Sequence, residues 1–188
     1  YFRANPVMPQ LAIHFLDEIK LPGFGDTLLV FAPHPDDETI SCGGYIIDSI
    51  KNGALVYIVL ITDGNRRNLR DLRYAEFENA SNIMGVPQGH LIYLGYADSR
   101  LALVNPDEIR TILAQQIEEY QPDILLYPHP DDRHKDHATV GRITEKILLE
   151  LKEKAEVKEY LEGYEELIKE EVLEELKEKE RIVQKILY

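Results

Sequence analysis

Four short apolar runs, each followed by a segment of helical periodicity, constrain this chain more than any other feature. Thr27–Ala32 reads TLLVFA and Leu55–Ile61 reads LVYIVLI. Unbroken runs of this length, rich in branched residues, are the pattern of strands buried on both faces. Leu91–Leu94 and Ile124–Tyr127 are shorter runs of the same kind. Between them lie segments of helical spacing. Residues 38–52 carry Ile40, Tyr45, Ile46 and Ile50 and close on Gly53. Residues 69–84 close on Gly85, with Leu72, Glu76, Ala80 and Ile83 along one stripe. A third segment opens with Asn105-Pro106, a cap followed by proline at the first helical position, and Ile109, Ile112, Leu113, Gln116, Ile117 and Tyr120 form its face. Residues 136–152 make a fourth. Strand and helix alternating at this interval imply an α/β fold, a Rossmann-like, mostly parallel sheet with helices on both faces. Such sheets bind ligands outside the carboxyl ends of their strands, so the chemistry is expected in the segments that follow each apolar run.

Those segments carry two related clusters. Directly after the first run stands Pro33-His34-Pro35-Asp36-Asp37-Glu38, and after the fourth stands His129-Pro130-Asp131-Asp132-Arg133-His134-Lys135-Asp136-His137. Adjacent carboxylates repel each other. A helix N-terminus offers them only a fraction of a positive charge, and a divalent cation would satisfy them far better. His137 lies on the stripe Val140, Thr144, Ile147 and Leu151, which turns its imidazole towards the sheet, and His134 precedes it by about one turn. His34, Asp37 and His137 can therefore converge as two nitrogen ligands and one carboxylate, a three-ligand set of the catalytic kind. The pentapeptide Pro-His-Pro-Asp-Asp occurs twice, at 33–37 and 128–132. Spacing alone leaves open which copy binds metal and whether one or two ions are held.

Composition narrows the field. Twenty-one Lys and Arg against 34 Asp and Glu give a net charge of −13, which disfavours a nucleic-acid backbone as partner. A single cysteine, Cys42, rules out an intrachain disulfide and multi-cysteine zinc modules, and its place on the first helix reads as core packing. No apolar run approaches the roughly 18 residues of a membrane span. Residues 1–26 read as an N-terminal arm with one helix at Leu11–Lys20, and 27–150 as the catalytic α/β domain. Residues 151–188 are more than half charged and keep an amphipathic helical stripe from Leu161 to Ile186. The chain begins at Tyr1, as a fragment or processed form would.

With these motifs in view, the sequence resembles the LmbE/PIG-L family of zinc-dependent N-deacetylases, which act on N-acetylglucosamine-type amines. The first hallmark stands as Pro33–Glu38 and the second, His-x-Asp-His, as His134–His137. Weaker marks are Thr62-Asp63-Gly64, Arg73-Tyr74-Ala75-Glu76 with Ala80 and Gly85-Val86, and Leu94-Gly95-Tyr96-Ala97-Asp98. The resemblance covers roughly residues 27–150. It implies one zinc per chain on His34, Asp37 and His137, Asp36 as general base, and His134 as the group that polarises the reacting carbonyl. The second Pro-His-Pro-Asp-Asp would then be mainly the loop leading into the second motif. On that reading a protonated His134 helps stabilise the oxyanion. Asp136 keeps His134 oriented, or else caps the helix that begins there. Arg73 and Asp98 are the substrate-binding candidates, against a helix-surface Arg73–Glu76 pair and a turn residue. A small amino-sugar substrate, a cytoplasmic address and an open question of homo-oligomerisation complete the expectation.

Two departures stand out. Gly64 is followed by Asn65-Arg66-Arg67, where family members usually carry Glu after Thr-Asp-Gly, and no further strand is legible after residue 150. The expectation is a chain truncated, or with segments missing, relative to an intact enzyme. Competing activities are hydrolysis of another amide or an ester, for instance a thiol conjugate, and a two-metal phosphoesterase. A non-catalytic dinucleotide module would need Gly-x-Gly-x-x-Gly after the first strand, where Pro33–Glu38 stands instead.

Overall fold

The computed structural model of the chain describes residues 21–155. The arm helix expected at Leu11–Lys20 and nearly all of the charged C-terminal segment lie outside them. Four parallel strands form one sheet in the order β3-β2-β1-β4. They are β1 (Thr27–Ala32), β2 (Leu55–Thr62), β3 (Leu91–Tyr96) and β4 (Ile124–Leu126). The helices are α1 (Asp37–Lys51), α2 (Arg70–Met84), α3 (Pro106–Tyr120) and α4, which starts at residue 135 and is still helical at residue 155. Position 150, the expected end of the catalytic domain, falls inside α4 without a break.

Alternation along the strands builds two cores. Leu28, Val30 and Ala32 of β1 face α1 and α2, meeting Ile46, Phe77 and Met84. Leu29 and Phe31 face the other way and pack with Ile109, Leu113 and Ile117 of α3 and Val140 and Ile147 of α4. Each such fully buried side chain stabilises the fold by about 1.5–3 kcal/mol. The α3 start is as the sequence implies, with the Asn105 side chain accepting from the Asp107 amide and proline at the first position. No helix among the described residues is long and apolar enough to cross a membrane.

Two helix faces differ from expectation. On α2 the buried residues are Phe77, Ser81 and Met84, whereas Leu72 and Ile83 are 54% and 83% exposed, so the stripe that includes Glu76 faces solvent. On α1 the backbone leaves helical geometry at Cys42 (φ −143°, ψ 15°), which breaks the expected single stripe. Ile46 is fully buried, but Ile40, ahead of the kink, is 78% exposed.

The chain passes from β3, at one edge, through α3 to β4 on the far side of β1. β1 and β4 therefore flank the point where strand order reverses, and the loops at their carboxyl ends face one crevice. Two close contacts fix those loops. The Thr62 amide and hydroxyl both donate to the Pro33 carbonyl, at 2.9 and 2.7 Å, tying the end of β2 to the start of the first cluster. Gly141 on α4 presses on the second cluster, where a Cβ would sit 2.5 Å from the Pro128 carbonyl oxygen.

Candidate metal centre

All four strand-to-helix loops contribute to one site at the carboxyl edge of the sheet. At its centre three atoms form a nearly equilateral triangle. His34 Nδ1 lies 3.2 Å from His137 Nε2 and 3.3 Å from an Asp37 oxygen, and that same oxygen lies 3.1 Å from His137 Nε2. Donor atoms about 2.0–2.2 Å from a tetrahedral zinc are separated by about 3.3–3.5 Å. The three donors could hold a metal ion, with edges at or slightly below that spacing. His134 completes the cluster. Its ring is 4.6 Å from that of His34 and 5.0 Å from that of His137, and ligand atoms of the three imidazoles all lie within 4.8 Å of one another.

Each histidine of the triangle has its second nitrogen held by a carboxylate. His34 Nε2 is 3.1 Å from Asp136 Oδ2 and 3.5 Å from Asp98 Oδ1, and His137 Nδ1 is 3.3 Å from Asp132 Oδ2. This arrangement fixes the rings and leaves His34 Nδ1 and His137 Nε2 facing each other. Asp136 is fully buried and also accepts the Ser99 and Leu101 amides at 2.7 and 3.1 Å. One carboxylate thereby clamps the β3–α3 loop to His34. The expectation that Asp136 orients His134, or caps α4, is corrected here. Its side chain reaches His34, and only its backbone N–H meets His134, donating to Nδ1 at 3.3 Å.

Electrostatics follow from these contacts. Burial opposes ionisation of Asp37, but hydrogen bonds from His137 and His34 outweigh it and hold the carboxyl well below the usual carboxylate range. Burial likewise works against charge on His34 and His137, yet the Asp37 carboxylate and its acidic neighbours raise both above 6.5. His134 is pushed the other way, first by burial and then by the charges of His34 and His137. It is therefore neutral near pH 7. With Nδ1 accepting an amide, its proton is assigned to Nε2. A neutral ring protonated there retains one donor.

Asp36 and Arg73 form a second unit beside the triangle. Asp36 precedes α1 with φ 125°, a conformation that favours glycine and costs other residues about 1–3 kcal/mol. Its amide donates to Glu38 Oε2 at 3.2 Å. Its carboxylate accepts from Arg73 at 2.8 Å, and the same guanidinium donates to the Pro35 carbonyl and, at 3.3 Å, to Glu76. The anticipated Arg73–Glu76 pair exists, but Arg73 also grips the loop of the first hallmark. Gly64 allows the approach, since a Cβ there would lie 2.9 Å from Pro35 and 3.3 Å from the Arg73 side chain. Arg73 is thus committed to the protein's own groups rather than free for substrate. Asp98 stays beside His34, its amide donating to Asp63 Oδ1 at 3.1 Å. Asp63 and Asp132 were not singled out from sequence as site residues. The signals available were the aspartate directly after β2 and a carboxylate five positions before His137. Cys42 is half-buried, and burial, then the charges of Glu38 and Asp37, push its thiol up to about 12.

A cavity of about 350 Å³ adjoins the centre. It is lined by Asp63, Asn65 and Arg66 from the β2–α2 loop and by Asp98, Ser99 and Arg100 from the β3–α3 loop.

Comparison with known proteins agrees with this architecture. A probable N-acetyl-alpha-D-glucosaminyl L-malate deacetylase 2 of Bacillus anthracis is 30% identical over 139 residues, covering 67% of this chain and 61% of the relative. The diacetylchitobiose deacetylase of Thermococcus kodakarensis is 31% identical over 124 residues, covering 57% of this chain and 45% of the relative. Among solved structures, the N,N'-diacetylchitobiose deacetylase of Pyrococcus horikoshii, complexed with its inhibitor MPG, superposes with a TM-score of 0.60 at 28% identity, covering 66% of this chain and 49% of that one. This chain spans about half to three fifths of the length of these relatives. The family model described as PIG-L, GlcNAc-PI de-N-acetylase, matches residues 29–148, and the chain belongs to that family.

Proposed function

We propose that this chain carries the catalytic domain of a zinc-dependent N-deacetylase acting on an N-acetylglucosamine-type substrate. The observation that carries the reading is the triangle of His34 Nδ1, the Asp37 oxygen and His137 Nε2, with edges of 3.1–3.3 Å. Those three residues would hold one zinc ion, which when bound supplies Lewis acidity and lowers the pKa of water from 15.7 towards about 7. The relatives named as deacetylases of acetylated glucosamine derivatives support the substrate class.

The chain's own residues then divide the work. Asp36 takes the proton of the attacking water and returns it to the departing amine, so no net proton is stored on the enzyme. Arg73 holds that carboxylate in place through its 2.8 Å bond. His134, neutral and protonated on Nε2, donates to the carbonyl oxygen as negative charge builds there, and loss of one such donor raises the barrier by about 2.7–4 kcal/mol. Asp132 and Asp136 keep His137 and His34 aimed. Asp98, which lines the cavity, would accept sugar hydroxyls.

Acetate release from N,N'-diacetylchitobiose and N-acetylglucosaminyl malate, measured together with metal content, tests the assignment. Asp36→Ala is expected to retain zinc and lose about 10²–10⁴ in turnover, and His137→Ala to lose zinc. Normal turnover in Asp36→Ala would remove the base assignment. Two ions per chain with no acetate release would favour the phosphoesterase chemistry instead.

A further inference from the structure

Glu38, the last residue of the first hallmark, has no task in the chemistry described so far. It is 1% exposed and directly follows two other carboxylates, in a chain of net charge −13. Taking a carboxylate out of water beside like charges is unfavourable, and an apolar side chain would fill the same space without that penalty. The hydrogen-bond donors to its two oxygens are neutral. Oε1 accepts the Thr39 hydroxyl at 2.6 Å, and Oε2 accepts the Asp36 amide at 3.2 Å.

Asp36 accounts for this placement. Glycine would adopt its φ of 125° freely, but glycine carries no carboxylate. A strained residue of another type persists only where its surroundings hold it. Each polar group of Asp36 is held. Its carbonyl accepts the Thr39 and Ile40 amides at 3.1 and 2.8 Å, in the first turn of α1. Its carboxylate accepts from Arg73, and its amide donates to Glu38. Relaxing φ to the ordinary negative range would carry that amide off Glu38 and swing the carboxylate away. Arg73 is long and partly exposed, so its guanidinium can follow a displaced carboxylate. Glu38 is buried in the first turn of a helix and cannot follow. The two neighbouring carboxylates diverge as a result, Asp37 turning back to the His34 amide and Asp36 going to Arg73.

We propose that Glu38 is a positioning residue for the general base: by accepting the Asp36 amide it locks the strained peptide that aims the Asp36 carboxylate. This rests on Asp36 being the base in the deacetylase reading above. A plain cap on α1, reaching back as in a capping box, would show in stability and not in turnover alone.

The test is steady-state acetate release from N,N'-diacetylchitobiose by the zinc-loaded full chain, read beside zinc content and melting temperature. Glu38→Met keeps the bulk and removes the carboxylate acceptor. It is expected to lower kcat by about 10–100-fold, with KM and bound zinc at the parent level. Glu38→Gln keeps an oxygen at the same reach and should recover most of that loss. In an Asp36→Ala background, Glu38→Met should cost less than about twofold more, because the two residues act as one unit. Thr39→Val removes only the hydroxyl that holds Glu38 Oε1, from an exposed position, and should lower kcat by about threefold. It decides the matter if Glu38→Met does not fold, and a parent kcat there then overturns the proposal. A parent kcat in Glu38→Met while Asp36→Ala is impaired overturns the proposal alone. So does an undiminished second loss in the Asp36→Ala background, a loss that tracks zinc content or melting temperature, or a Glu38→Gln as impaired as Glu38→Met. Parent turnover in Asp36→Ala would instead remove the base reading, and the proposal with it.

Discussion

The same five residues, Pro-His-Pro-Asp-Asp, follow two neighbouring parallel strands and meet different fates. After β1 the segment runs straight into α1. His34 and Asp37 supply two corners of the triangle, and Asp36 is held by Arg73. After β4 it runs instead into a loop that turns once more before α4 begins at residue 135. There His129 is exposed and, among the described residues, its Nδ1 meets only the Asp131 amide, at 3.1 Å, while Asp131 is exposed too. Only Asp132 reaches the site, and it does so as the partner of His137 Nδ1. The difference teaches that the pentapeptide is not the site. What matters is whether a helix begins at once, so that the residue after the strained Asp36 folds back and its carboxylate meets the His34 amide, at 2.8 Å.

The sharpest way to break that comparison is to remove the equivalent histidine from each copy. His34→Ala is expected to lose bound metal and acetate release together, and His129→Ala to keep both near the parent level. Loss of metal in His129→Ala would make the second copy a ligand and revive a two-ion site. Metal content by mass spectrometry reads both.

Next come the carboxylates. Asp37→Asn removes a corner of the triangle and should leave no stoichiometric zinc. Asp132→Asn disturbs only the ring orientation of His137, so zinc affinity should fall by about 10–100-fold with the site still fillable. Competition with a zinc chelator measures the difference, and equal losses from the two substitutions would contradict the distinction drawn here.

A smaller effect is expected from the packing that holds the second copy. Gly141→Ala places a methyl against the Pro128–Pro130 backbone, with an expected cost of about 1–3 kcal/mol seen as a lower melting temperature. A methyl at Gly44, which meets nothing within 4 Å, is the control and should not show that loss.

The smallest expected effect is in pH. His34 and His137 are raised above 6.5 in the folded protein, chiefly by Asp37 acting against burial. Without metal, the stability they contribute is full below pH 6.5 and is lost as pH rises through their folded values. His134, held low, contributes in the opposite sense and reduces the net slope. Zinc needs unprotonated imidazoles, so the zinc-loaded protein should gain stability over the same interval. Melting temperatures of the two forms between pH 5 and 8 should therefore draw apart, and parallel curves would contradict the pairing described.

Much of this was legible in the residues. Unbroken runs such as Leu28–Phe31 and Val56–Ile61, rich in branched residues and closed by turn signals, read as central strands, and their order with the helices implies the parallel layers and the edge where His34 and His137 meet. The shape of the helices was less legible. The kink at Cys42 leaves no mark in the sequence, where Ile40 and Ile46 share one helical stripe. On α2, spacing allows a stripe through Leu72 and Ile83 as well as one through Phe77 and Met84, and only tertiary packing selects the second. Second nitrogens and their partners were the least legible. That Asp136 holds His34 across about a hundred residues, rather than His134 two positions away, depends on loop geometry that periodicity does not encode. The sequence offers Arg73 as a substrate-binding candidate or as the partner of Glu76; its bond to Asp36 depends on the close approach at Gly64, which spacing does not encode.

Anomalous scattering at the zinc edge, from crystals of the zinc-loaded chain, addresses the triangle most directly. One peak per chain is predicted, bonded to His34 Nδ1, Asp37 and His137 Nε2, with Asp132 and Asp136 behind the rings and His129 uninvolved. A peak at the 128–132 loop, or none between residues 34 and 137, would contradict it.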